Sequence, residues 1–106
     1  MPQYLIAGQH PPDLCPSANE TVRKLSAEGA GRIPELAEKL GVKLLATYVP
    51  MNNHMVFAAV EADDMTSVRE FAFQSSLGQW NTLEIYQVST LEEALSKVEE
   101  LPTIYS

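Results

Sequence analysis

Four short β-forming runs, with an amphipathic helical stretch after the first, another after the third and one more at the end, predict an α+β fold. The order is β-α-β-β-α-β with one helix appended. The runs are Tyr4 to Gln9, Val42 to Val49, His54 to Val60 and Thr82 to Val88, each bounded by turn-forming residues. Between them, apolar residues recur at three- and four-residue spacing behind Ser, Thr or Asp caps.

The first run starts almost at the N-terminus and is fenced by Pro2 and by Pro11-Pro12. Ser17 with Glu20 reads as a capping box, Pro16 standing just before it. Val22, Leu25, Gly29, Ile33, Leu36 and Leu40 then form one apolar stripe, and Gly41 supplies the C-cap. Gly29-Ala30-Gly31 and Pro34 interrupt that stripe. A mid-helix proline costs ~3 kcal/mol or more, so a kink or two shorter helices are expected.

The second and third runs flank the turn Pro50-Met51-Asn52-Asn53 and make a hairpin. Asp63-Asp64 caps a helix through Val68, Phe71 and Ala72 to about Ser75, with Gly78 as its end. In the fourth run Leu83, Ile85 and Gln87 share one face. Thr90 with Glu93 is a second capping box, opening a helix through Leu91, Leu95 and Val98 that Pro102 stops.

At 106 residues, with 45% hydrophobic and 20% charged residues, the chain reads as one globular domain spanning 1–106. No stretch approaches the ~20 apolar residues of a membrane span, and the start lacks a basic leader and apolar core, so a cytoplasmic protein is expected. A net charge of −7 without a basic patch excludes nucleic acid as a natural partner. The single cysteine rules out an intrachain disulfide.

The element order is the ferredoxin-like one, and right-handed crossovers then dictate a sheet order of 4-1-3-2 with the helices on one face. The chain encodes no second layer for the other face. Face-to-face pairing into a dimeric α/β barrel is the expected remedy, giving a homodimer or higher homo-oligomer.

In that topology the carboxyl end of the first strand lies beside the amino ends of the third and fourth. One rim thus gathers His10, Cys15 from the loop His10-Pro11-Pro12-Asp13-Leu14-Cys15-Pro16, and His54, which opens the third strand. These are the only histidines and the only cysteine of the chain. Met51, Glu84 and Asp13 are possible additional members. Met51 is favoured over Met55, because strand alternation turns Met55 to the face opposite His54. Trp80 is read as a core or dimer-interface anchor. Cys15 lies just ahead of the expected helix cap at Ser17, where the helix dipole favours thiolate. One thiolate with two imidazoles suits a transition metal, copper or zinc foremost, and disfavours magnesium and calcium.

The His10-Pro-Pro-Asp-Leu-Cys15-Pro16 junction, the turn ending in His54, and Leu83-Glu-Ile-Tyr-Gln-Val88 leading into Thr90-Leu-Glu-Glu give residues 3–98 a family resemblance. The chain resembles small ferredoxin-like proteins of the dimeric α/β-barrel superfamily, most of whose members have no assigned function. It is also similar to the GYD-type proteins, although Asn52-Asn53-His54 stands where those carry Gly-Tyr-Asp. The resemblance implies a dimeric barrel and leaves room for a small-molecule ligand. It leaves open whether the protein binds metal or is a metal-free monooxygenase or isomerase with His10 or His54 as general base.

Overall fold

Alternation along the first strand sets the two faces of the sheet. In the computed structural model, which describes residues 1–105, β1 (Gln3–Gln9) buries Tyr4, Ile6 and Gly8 on one face and leaves Leu5 and Ala7 half-buried on the other. Then follow α1 (Glu20–Leu40), β2 (Lys43–Tyr48), β3 (Met55–Glu61), α2 (Met65–Gln74), α3 (Leu77–Trp80), β4 (Thr82–Val88) and α4 (Leu91–Val98). A short 3-10 turn at Pro12–Leu14 lies between β1 and α1. The sheet runs β2-β3-β1-β4 with every neighbour antiparallel, the order read from the sequence. Register pairs Tyr4 with Val60 and Ile6 with Ala58, and these residues meet Leu36, Val68, Phe71 and Ala72 of the helices in one core. No helix among the described residues is long and apolar enough to cross a membrane.

Several local expectations are corrected. α1 is capped by Asn19, not Ser17: the Asn19 side chain accepts from the Val22 amide at 3.0 Å and donates to the Asp13 carbonyl at 3.1 Å. The Ser17 hydroxyl is instead engaged with the Cys15 thiol at 3.0 Å. α1 is one helix of 21 residues, running through Pro34 unbroken. Pro34 and Ala30, whose carbonyl loses its donor, both lie on the exposed side, where water replaces the missing bond. The stripe from Val22 to Leu36 stays buried and holds the helix together.

α2 ends at Gln74, before Gly78, because Ser75 and Ser76 give their hydroxyls to the Ala72 and Leu25 carbonyls. Ser76 is left-handed at φ 73°, and Gly78 sits inside the extra helix α3. At Gly29, α1 passes so close to this turn that an added Cβ would stand 2.0 Å from the Ser75 carbonyl oxygen. Gly41 (φ 68°), Asp64 and Thr90 cap α1, α2 and α4 as the sequence implies. β3 starts at Met55, one residue later than expected, which leaves His54 in the turn.

Candidate metal centre

β1 is the rail on which the site is built. His10 follows its last residue, and its amide donates to the His54 carbonyl at 3.1 Å, continuing the β1–β3 ladder beyond the Gln9–Met55 pair by one step. On the other side β1 pairs Gln9 with Thr82, so the next residue of that ladder, Asn81, arrives beside His10. The His10 ring is only 6% exposed. Its Nδ1 lies 2.8 Å from the Asn81 Oδ1.

That contact fixes the imidazole. Asn81 Nδ2 donates to the Leu77 carbonyl at 3.1 Å, so Oδ1 is the atom presented to His10, and a carbonyl oxygen accepts. Nδ1 therefore carries the proton and Nε2 keeps its lone pair. Nε2 is buried and has no hydrogen-bond partner among the described residues. Room for Asn81 comes from Gly8, where a Cβ would stand 3.1 Å from the Asn81 Cβ and Cγ. Trp80 packs on the His10 ring with centroids 5.0 Å apart, and the exposed His54 ring meets it edge-on at 5.6 Å.

Cys15 caps the 3-10 turn, and its carbonyl accepts from the Ala18 and Asn19 amides at 2.9 Å, which fastens the loop to the start of α1. The Ser17 hydroxyl and backbone, foremost, lower the Cys15 pKa from 9.0 to about 6. The dipole of α1 is not the cause, since the helix begins at Glu20 and its influence fades within a turn. One donor atom from each of His10, Cys15 and His54 lies within 4.8 Å of the others. Donors bound ~2.0–2.3 Å from one tetrahedral ion sit ~3.3–3.8 Å apart, a closure within reach of the exposed His54 side chain.

The additional candidates stay outside this cluster. Met51 is fully exposed at the hairpin tip. Met55 lines a cavity of about 250 Å³ together with His10 and Cys15. Glu84 lies opposite Ala7, and its carboxylate accepts from the Tyr86 hydroxyl. Asp13 is exposed and offers its backbone carbonyl to Asn19. Two residues that the sequence places at this rim gain a role that the sequence reading did not give them. Trp80 lies against the site as well as in the core, and Asn81 orients a donor. The ladder position of Asn81 opposite His10 was the available signal.

No protein-family model matches the chain. No curated protein matches it either. Fold and site together define a small α+β protein with a ferredoxin-like sheet and a His-Cys-His donor cluster at one end of it.

Proposed function

We propose that this protein binds one transition-metal ion per chain, copper or zinc, through His10 Nε2, Cys15 Sγ and a His54 ring nitrogen. The observation that carries the reading is the His10 Nε2: a buried nitrogen with its lone pair free, its ring oriented from behind by Asn81, and two further donors within 4.8 Å. An outer-shell hydrogen bond on the far ring nitrogen is how metal-ligating imidazoles are held. A thiolate with two imidazoles prefers these ions to hard cations. A reducing cytoplasm, which keeps a lone thiol available, fits the same reading.

The second part of the proposal is a homodimer closed over the free sheet face as an α/β barrel. Supporting it, Leu5, Ala7, Phe57 and Ala59 are only half-buried on that face, and Tyr86 and Val88 beside them are 47% and 38% exposed. α4 adds Leu91, Leu95 and Val98, all exposed, as a further apolar stripe.

Elemental analysis of untagged protein, with titration of chelator-treated protein by Zn(II) and Cu(I), tests the first part. One ion per chain is expected. Absence of binding to either ion would return His10 and His54 to the general-base role of a metal-free enzyme. Small-angle scattering tests the second, and a monomer at micromolar concentration would remove the barrel.

A further inference from the structure

α4 is amphipathic, but it stands the wrong way round for its own chain. Thr90 caps it, its hydroxyl accepting from the Glu93 amide at 3.1 Å, and helical spacing puts Leu91, Leu95 and Val98 on one face. Those three are 73%, 55% and 58% exposed. Glu93 and Lys97, from the other side of the helix, line a cavity of about 360 Å³ with Met1, Pro2 and Gln3 of the body. Polar side chains thus face inward and the apolar stripe outward. Every residue from Tyr86 to Tyr105 is exposed, and the Cα radius of gyration is 16.3 Å where a compact chain of this length has ~13 Å. A lone helix of eight residues falls short of the ~12–15 at which helices become marginal in water, so α4 needs a surface to cover its stripe.

A matching surface lies elsewhere in the same chain. Between α2 and β4, on the helix side of the sheet, Met65, Phe73, Leu83 and Ile85 wall a groove of about 540 Å³, with Phe73 61% exposed. Two charged residues join the lining. Glu70 is engaged by the Gln74 side-chain amide at 2.7 Å, whereas the Arg69 guanidinium has no carboxylate partner among the described residues.

We infer that α4 docks in the α2–β4 groove of a second copy of this chain, each copy seating the other's helix. Leu91, Leu95 and Val98 fill the groove, and Glu92 and Glu99, which flank the stripe on one side, meet Arg69. A second copy is the occupant because one chain carries both complementary halves while its own helix turns the stripe away from its body. Reciprocal exchange then covers two stripes and two grooves in one closed pair. Four glutamates against one lysine across Leu91–Glu100 disfavour an anionic membrane surface instead. The barrel closes over the opposite face of the sheet, so this contact goes beyond that reading and does not rest on it.

Cross-linking between unlike chains tests the exchange. Cys15→Ser leaves the chain without a cysteine. One is returned by Ser96→Cys, beside the stripe, in one batch and by Gly78→Cys, at the exposed groove wall, in another. Mixed, equilibrated and treated with a short bis-maleimide, the two should give a covalent dimer joined between positions 96 and 78, identified by peptide mass. A chain carrying both substitutions should link to its partner and not within itself. Adding Arg69→Glu to the groove chain should cut the 96–78 product about tenfold, because like charges then meet Glu92 and Glu99. Tyr86→Lys, on the barrel face, should leave that product unchanged, so failure of the barrel and failure of the exchange are told apart. Links between like positions, links within one chain, no covalent dimer, a yield indifferent to Arg69→Glu, or a product lost with Tyr86→Lys would each overturn the proposal.

Discussion

Asn81 holds His10 at 2.8 Å across 71 positions of sequence, and the bond decides which nitrogen of the imidazole is free. Both residues are buried, at 8% and 6% exposure, so water cannot readily stand in for either partner.

Asn81→Leu should therefore loosen the site without removing a ligand. Zinc affinity is expected to fall about 10–100-fold, as for other losses of an outer-shell partner. ¹⁵N NMR of the metal-free variant should show His10 leaving the Nδ1–H tautomer. Gly8→Ala should act in the same direction and more weakly, since its Cβ would press on Asn81 at 3.1 Å. An unchanged tautomer in Asn81→Leu would mean that His10 is oriented by packing on Trp80 alone.

His10→Ala, Cys15→Ser and His54→Ala should each abolish Cu(I) or Zn(II) binding, and by similar amounts, because each leaves only two strong ligands. Isothermal titration gives the comparison. Loss in only one of the three would show that the residues do not act as one site.

Much of this was legible from the strands. Ladder arithmetic in an antiparallel sheet needs only the strand order, and it brought His10, His54 and the start of β4 to one rim. What pattern could not reach was set by contacts distant in sequence. Pro34 looked like a helix breaker because propensity is local, whereas the buried stripe of α1 is held by the rest of the fold. Ser17 looked like a cap because its competitor for the role, Asn19, is distinguished only by a bond to Asp13 in the preceding loop. The one-residue shift at the start of β3 leaves the exposed His54 in the turn, although its carbonyl still accepts from the His10 amide.

Two glycines on α1 should respond to alanine with opposite signs. Gly29→Ala drives a methyl into the Ser75 carbonyl, 2.0 Å away on backbone that cannot step aside cheaply, so a loss of ~1–3 kcal/mol is expected. At Gly31 nothing lies within 4 Å and φ is helical, so alanine should stabilise by up to ~1 kcal/mol through helix propensity. Urea midpoints measure both. Equal effects would mean that α1 does not cross the Ser75–Ser76 turn as closely as described.

Asp64 sets an acid limb to stability. Its carboxylate accepts from the Ser67 amide at 2.8 Å, and the backbone and hydroxyl of Ser67 hold its pKa below the ordinary 3.8. A carboxyl depressed in the folded state stabilises fully above its unfolded pKa and loses that contribution as pH falls through the folded one. Asp64→Asn keeps a capping oxygen but not the titration. The difference in thermal midpoint between wild type and Asp64→Asn should thus be constant from pH 7 to pH 5 and shrink below about pH 4. A difference that grows on acidification would contradict the cap.

Cys15 should be a thiolate at neutral pH in the metal-free protein. Its pKa is lowered to about 6, foremost by the Ser17 hydroxyl and backbone. Alkylation by iodoacetamide follows the thiolate, so the rate should rise with a midpoint near pH 6 and be flat by pH 8. Ser17→Ala removes the largest cause and should shift the midpoint upward toward 9.0, slowing the reaction most at pH 6 to 7. Ser17 lies outside the donor cluster, so that variant should still bind zinc. Adding Zn(II) or Cu(I) to wild type ties up the sulfur lone pair, and the rate should collapse at one ion per chain. The loop cannot evade this by swinging out, since Pro11, Pro12 and Pro16 stiffen it and the Cys15 carbonyl is bound to the Ala18 and Asn19 amides. A rate unaffected by either ion would leave Cys15 with no part in the site and reduce it to a pair of histidines.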